Sequence, residues 1–149
     1  MTRVLWIALV GAMLATTGAR ADTAKKKQPL VAIGKDKLVL AKGISFESGT
    51  STIHKDALPT LDATAKVLNK HKKMRLQIQV HSDSQGSSHF NRRITQERAD
   101  AIAKYLTGKG IKAKRLAAKG FGEDAPIADN RKAAGRAANR RVELVILDP

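Results

Sequence analysis

Residues 74–110 read MRLQIQVHSDSQGSSHFNRRITQERADAIAKYLTGKG, and the fold turns on this stretch. Met74, Leu76, Ile78 and Val80 alternate with polar residues, which predicts a strand buried on one face only. The strand runs into Ser82–Ser88, a loop dense in turn formers. A helix is predicted from about Ser88 to the Gly108-Lys109-Gly110 stop, with Ile94, Ala101, Ile102 and Tyr105 among its apolar positions. A strand handed through a polar loop to a long amphipathic helix predicts a helix lying back on the strand's apolar face.

Upstream of this stretch, Leu58, Leu61, Ala65 and Leu68 recur at helical spacing, with Asp56 a candidate N-cap and Pro59 tolerated in the first turn. Further upstream, Leu38, Leu40, Ile44 and Phe46 supply short β-type segments broken by Gly43, and Ser48-Gly49-Thr50-Ser51 carries turn chemistry. Downstream, Leu116 and Ala118 fit a short strand. Gly120, Gly122, Pro126 and Gly135 punctuate a loop, and Val142, Leu144 and Ile146 make the last strand. The order β-α-β-α-β-loop-β predicts an α+β domain with helices on one face of a mixed sheet.

The 149 residues suffice for one domain with a modest core. Arg3, the apolar run Val4–Ala15 and the small-x-small triplet Ala19-Arg20-Ala21 predict a secretory signal peptide over residues 1–21. That run is shorter than the about 20 residues a membrane-spanning helix needs, so no transmembrane segment is expected in the mature chain. Residues 22–29 read as a disordered, lysine-rich lead-in and residues 30–149 as the domain. Without residues 1–21 the chain keeps 26 basic and 13 acidic residues, a net +13, which favours anionic partners. Cysteine is absent, so the domain is expected to rest on its core alone, without a disulfide or an acylated N-terminal cysteine.

The long helix holds an anomaly. Arg98 falls among its apolar positions, four residues after Ile94 and seven before Tyr105, with Asn91 and Thr95 on nearly the same stripe. A guanidinium on that side costs several kcal/mol unless a carboxylate answers it. Asp83, in the loop entering the helix, is the nearest candidate. From pattern alone such a pair is either a structural clamp or a binding site. Arg140 alternates onto the same face of the last strand as Val142, Leu144 and Ile146. Two arginines and one aspartate would suit a zwitterionic ligand, the aspartate taking an ammonium and an arginine gripping a carboxylate.

These residues carry a resemblance. His81-Ser82-Asp83-Ser84-Gln85-Gly86, followed by Asn91, Ile94-Thr95 and Arg98-Ala99, resembles the signature of the OmpA-like (OmpA/MotB C-terminal) domain family. Gly120-Phe121-Gly122-Glu123, Pro126, Gly135-Arg136-Ala137 and Asn139-Arg140-Arg141-Val142-Glu143 look like its remainder, and Ile44-Ser45-Phe46 like its opening strand. The departures are Val80 where the family usually has glycine, Ser82 for threonine, and Ile94-Thr95 for leucine-serine. The resemblance implies a β-α-β-α-β-β fold, two main helices on a mixed four-stranded sheet. It also implies non-covalent binding of peptidoglycan through the diaminopimelate residue of the stem peptide. Asp83 would bind the ligand ammonium, Arg98 its carboxylate, Asn91 would orient the pair and Arg140 would line the same pocket. Without ligand, Asp83 and Arg98 are expected to pair with each other.

The expected setting is the periplasm, in association with the outer membrane through partners or charge, helping envelope integrity or attachment of the outer membrane to the wall. The alternative is a periplasmic adaptor that uses the fold to bind outer-membrane or periplasmic proteins without stem recognition. No enzyme, cofactor or metal is expected. Adjacent strand residues point to opposite faces, so the run His81-Ser82-Asp83 cannot form a hydrolytic triad, and His81, Asp83 and His89 lack zinc-site spacing. His54 and His71 read as surface residues. Nucleic acid is not an expected partner: outside residues 1–21 the aromatics are Phe46, Phe90, Tyr105 and Phe121, none in a stacking motif.

Overall fold

The computed structural model describes residues 28–149, so the signal-peptide reading and most of the lead-in lie outside the described residues. A hairpin comes first, β1 (Val31–Ile33) and β2 (Lys37–Leu40), followed by α1 (Leu58–Lys70), β3 (Arg75–His81), α2 (Ser88–Gly108), β4 (Leu116–Gly122), α3 (Ala133–Asn139) and β5 (Arg141–Asp148). The sheet runs β1-β2-β5-β3-β4. The β3–β4 pair is parallel and the others are antiparallel. The mixed α+β architecture is the expected one, but the sheet has five strands rather than four.

Three local differences have physical causes. The stretch Ile44–Phe46 is not a strand: Ile44 is buried in the core, and Phe46 makes only an isolated bridge to Ile53 across the Ser48–Ser51 turn. The fifth strand is β1, which pairs with β2 in a short hairpin around Gly34, whose N–H donates to the Lys37 carbonyl at 2.9 Å. Asp56 does not cap α1. The helix is entered through a 3-10 turn, Lys55–Ala57, in which the Asp56 N–H donates to His54 Nδ1. Finally, part of the expected Gly/Pro loop is the helix α3. Its alanines favour helix, while Gly135 is there for space: a Cβ would fall 1.9 Å from the Asp129 carbonyl oxygen.

Both long helices cover one face of the sheet. Leu76, Ile78 and Val80 of β3 meet Leu61 and Leu68 of α1, Ile102 and Leu106 of α2, and Leu144 of β5 in one buried cluster. The opposite face carries Gln77, Gln79 and the Lys37–Glu143–Arg141 charge cluster. The closest approach lies between α2 and β4. A Cβ on Gly120 would sit 2.2 Å from the Gln96 backbone nitrogen, so only glycine lets the helix rest there. The Gln96 side chain bridges the contact, accepting from the Gly120 N–H at 2.9 Å and donating to the Ala118 carbonyl.

Gly120→Ala is expected to destabilise the fold by about 3 kcal/mol or more, because backbone rather than a flexible side chain must yield. Gly108→Ala, with nothing near its Cβ, should change stability by less than about 1 kcal/mol. Urea midpoints of the two variants measure the difference.

Candidate functional site

At the C-terminal end of β3 the chain leaves the sheet, and α2 returns beside it. The start of β5 and the segment Ile44–Gly49 close the same corner. Between them lies an open cleft of about 430 Å³ whose lining includes Phe46, Val80, His81, Arg98, Arg140 and Val142. Of the four residues expected to act together, Arg98 and Arg140 line it. Asp83 meets it through Arg140, and Asn91 stands behind.

Asp83 is 6% exposed and fully engaged. One carboxylate oxygen accepts the Gln85 N–H at 2.9 Å, and the other accepts Arg140 Nη1 at 2.5 Å. Its partner is therefore Arg140, not Arg98, which corrects the expected Asp83–Arg98 pair. The Arg140 side chain is 53% exposed, so one half of this ion pair is free to move while the other is held. Asn91 does act on the loop. Its side-chain amide donates to the Asp83 carbonyl, to the Gln85 carbonyl at 3.0 Å and to Glu123 Oε2 at 2.7 Å. The α2 N-terminus is capped by Ser87 Oγ, which accepts the Phe90 N–H.

Arg98 is half-buried without a carboxylate partner. Its Nε donates to the Thr50 carbonyl at 2.8 Å, and its guanidinium carbon lies 4.9 Å from the centre of the Phe46 ring. Burial lowers its pKa from the usual arginine value. A carbonyl and an aromatic face stand where a carboxylate was expected, and they leave the charge without a counter-ion. The terminal amino groups of Arg98 have no hydrogen-bond partner among the described residues. The sequence offered both ingredients, Phe46 and the Ser48–Ser51 turn, but alternation and helical spacing do not show that a turn will fold over a helix some 50 residues away.

His81 was missed as a lining residue. It is 5% exposed, stacks on Phe121 at 4.8 Å between ring centroids, and neither ring nitrogen has a hydrogen-bond partner among the described residues. The β3–β4 register shifts between Val80 and His81, at the position where Val80 departs from the usual glycine. Burial, reinforced by the nearby Arg141 charge, pushes the His81 pKa down to about 4, so the ring is neutral above that pH.

The OmpA family profile matches residues 45–140, and the chain belongs to that family. Among its relatives is a probable lipoprotein, YiaD, of Escherichia coli K12, 35% identical over 109 residues that make up 73% of this chain and 50% of YiaD. The solved peptidoglycan-associated lipoprotein of Burkholderia pseudomallei superposes with a TM-score of 0.65 at 29% identity, covering 72% of this chain and 92% of that one. The cell wall anchor of the T6SS from Pseudomonas aeruginosa superposes at 0.67 and 29% identity, over 80% and 87% of the two chains. The chain spans half or less of the length of several curated relatives that it matches.

The His81 environment has a pH signature. An imidazole held near 4 when folded and near 6.5 when unfolded binds its proton more readily in the unfolded chain. Its contribution to stability is therefore complete above about pH 6.5 and is lost as the pH falls toward 4. His81→Phe keeps the ring stack and removes this dependence. Between pH 7 and pH 4 the wild type should lose about 2–3 kcal/mol relative to the variant by urea unfolding. A gap that stays constant with pH would overturn the assignment.

Proposed function

We propose that the domain binds peptidoglycan non-covalently, taking the free end of the diaminopimelate side chain of the stem peptide into the cleft, and thereby ties an envelope structure to the wall. The observation that carries this reading is Arg98. This half-buried guanidinium lines the cleft with its Nε committed to Thr50, which leaves its two terminal amino groups available to grip a carboxylate by two parallel hydrogen bonds. The family and the names of its neighbours, a peptidoglycan-associated lipoprotein and a cell wall anchor, support the same reading.

The diaminopimelate terminus carries an ammonium and a carboxylate on one carbon. Its ammonium takes the place of the Arg140 guanidinium on Asp83, one cation replacing another, so the buried carboxylate is never left unpaired. Arg140, largely exposed, swings aside and remains a wall of the pocket. Asn91 and the Gln85 N–H hold the Asp83 loop during the exchange. Lysine at the same stem position offers the ammonium without the carboxylate and leaves Arg98 unanswered, so diaminopimelate is the favoured residue. The periplasm is the compartment in which this ligand is met, and the function needs no bond-making step.

Co-sedimentation with purified diaminopimelate-type sacculi tests this. At high salt, where loose charge attraction is screened, the wild type should still pellet. Arg98→Ala and Asp83→Ala, verified as folded by thermal melting, should bind about 10–100-fold more weakly, the loss typical of a charge-assisted hydrogen bond. Lysine-type sacculi should bind as weakly as the Arg98→Ala variant does. Folded variants that pellet like the wild type would sink the pocket assignment and favour a protein-binding role.

A further inference from the structure

At the other end of β3 from the cleft lies a second cavity, of about 620 Å³. It is bounded by Asn69, Gly110 and six cations: Lys72, Lys73, Arg75, Lys112, Lys114 and Arg115. Among the described residues no acidic side chain lines it. The two arginines are already committed. Arg115 donates to the Met74, Leu68 and His71 carbonyls at 2.7–2.9 Å, closing the C-terminal end of α1, and Arg75 pairs with Asp148. The four lysines are in none of the ion pairs among the described residues, and all four are exposed.

We propose that this lysine pole docks on a bilayer surface bearing anionic phosphate headgroups, so that one end of the domain meets the membrane while the other meets the wall. The kind of cation decides the kind of partner. A pocket for one phosphate would present oriented arginine forks or backbone N–H groups, and here the forks are spent on carbonyls and on Asp148. What remains are four mobile ammonium groups, each a point charge, matched to a diffuse sheet of headgroups. Among the described residues the cavity has no aromatic ring on which a nucleic-acid base could stack. The geometry also fits. Arg75 and His81, at the two ends of the seven-residue β3, border the two cavities, so the poles stand roughly 20 Å apart along a rigid strand. This inference is independent of the stem-peptide reading, because the pole shares no residue with the cleft.

The test uses the chain without the expected signal peptide, residues 22–149, and sedimentation with large vesicles at moderate salt. Vesicles with about a third phosphatidylglycerol should carry the protein down, and pure phosphatidylcholine vesicles should not. A surface lysine contributes roughly five-fold to such partitioning, so replacing Lys72, Lys73, Lys112 and Lys114 with glutamine should weaken it by about two to three orders of magnitude. The same change at four exposed lysines elsewhere, Lys35, Lys55, Lys104 and Lys132, should weaken it about ten-fold or less. Equal losses in the two variants, or a pole variant that binds like the wild type, would overturn the proposal. So would wild-type binding to duplex DNA that displaces it from the vesicles. Sacculus binding at high salt should be unchanged in the pole variant, which separates failure here from failure of the cleft reading.

Discussion

Helix α2 rests on β4 backbone to backbone, and the remaining geometry follows from that contact. Gly120 gives the space, and Gln96 and Thr95 convert it into hydrogen bonds: Gln96 spans Gly120 and Ala118, while Thr95 Oγ1 accepts the Gly122 N–H and donates to the Asn91 carbonyl. A helix held at two successive residues cannot rotate about its axis. One turn toward its N-terminus Asn91 must then face the Asp83–Gln85 loop, and one turn the other way Arg98 must emerge beneath Phe46 and Thr50. The positions of the two polar groups around the cleft are thus consequences of where glycines stand in the neighbouring strand.

Arginine and lysine divide the charge of this chain between different tasks. Arg98, Arg115 and Arg141 donate to backbone carbonyls, and Arg140 holds the one buried carboxylate in the cleft region. A planar fork suits such fixed acceptors. Most lysines project into solvent, the main exceptions being surface pairs such as Lys109–Asp62 and Lys37–Glu143. A large net positive charge therefore says little about the site, because the charges that define the site are few and already engaged.

Periodicity recovered the elements whose burial is one-sided: the alternation of β3, the helical stripe of α1, and α2 with its end at Gly108. It failed where packing overrides local pattern. Ile44 and Phe46 look like strand residues, yet one plugs the core from a loop and the other serves as a rest for Arg98. Gly135 looks like a loop marker, yet it lies inside a helix because a carbonyl presses against it. At the site, spacing on α2 placed Arg98 on the packed side, whereas Arg140, expected on the last strand, stands just before β5 as the C-cap of α3 and reaches the same cleft from there. Spacing cannot choose among cations for one carboxylate, and the partner of Asp83 went to the arginine at the α3–β5 junction. His81 was passed over because its neighbour across the sheet, Phe121, is 40 residues away in sequence.

On the proposed reading, the Asp83–Arg140 pair would keep the site poised without a ligand. An aspartate buried alone would raise the energy of the folded chain by several kcal/mol or take up a proton. An aspartate paired with a second buried arginine would be stable but closed, since both charges would have to be exposed together for a ligand to enter. Pairing a buried carboxylate with an exposed guanidinium avoids both outcomes. The carboxylate keeps a counter-charge, while the guanidinium, already partly hydrated, loses little when another cation replaces it. Arg98 is the converse case, a half-buried cation held by neutral acceptors that leave its charge unsatisfied. On the proposed reading, one exchangeable counter-ion beside one guanidinium that lacks a carboxylate would favour a ligand bringing both an ammonium and a carboxylate, with Asp83 keeping a cation throughout.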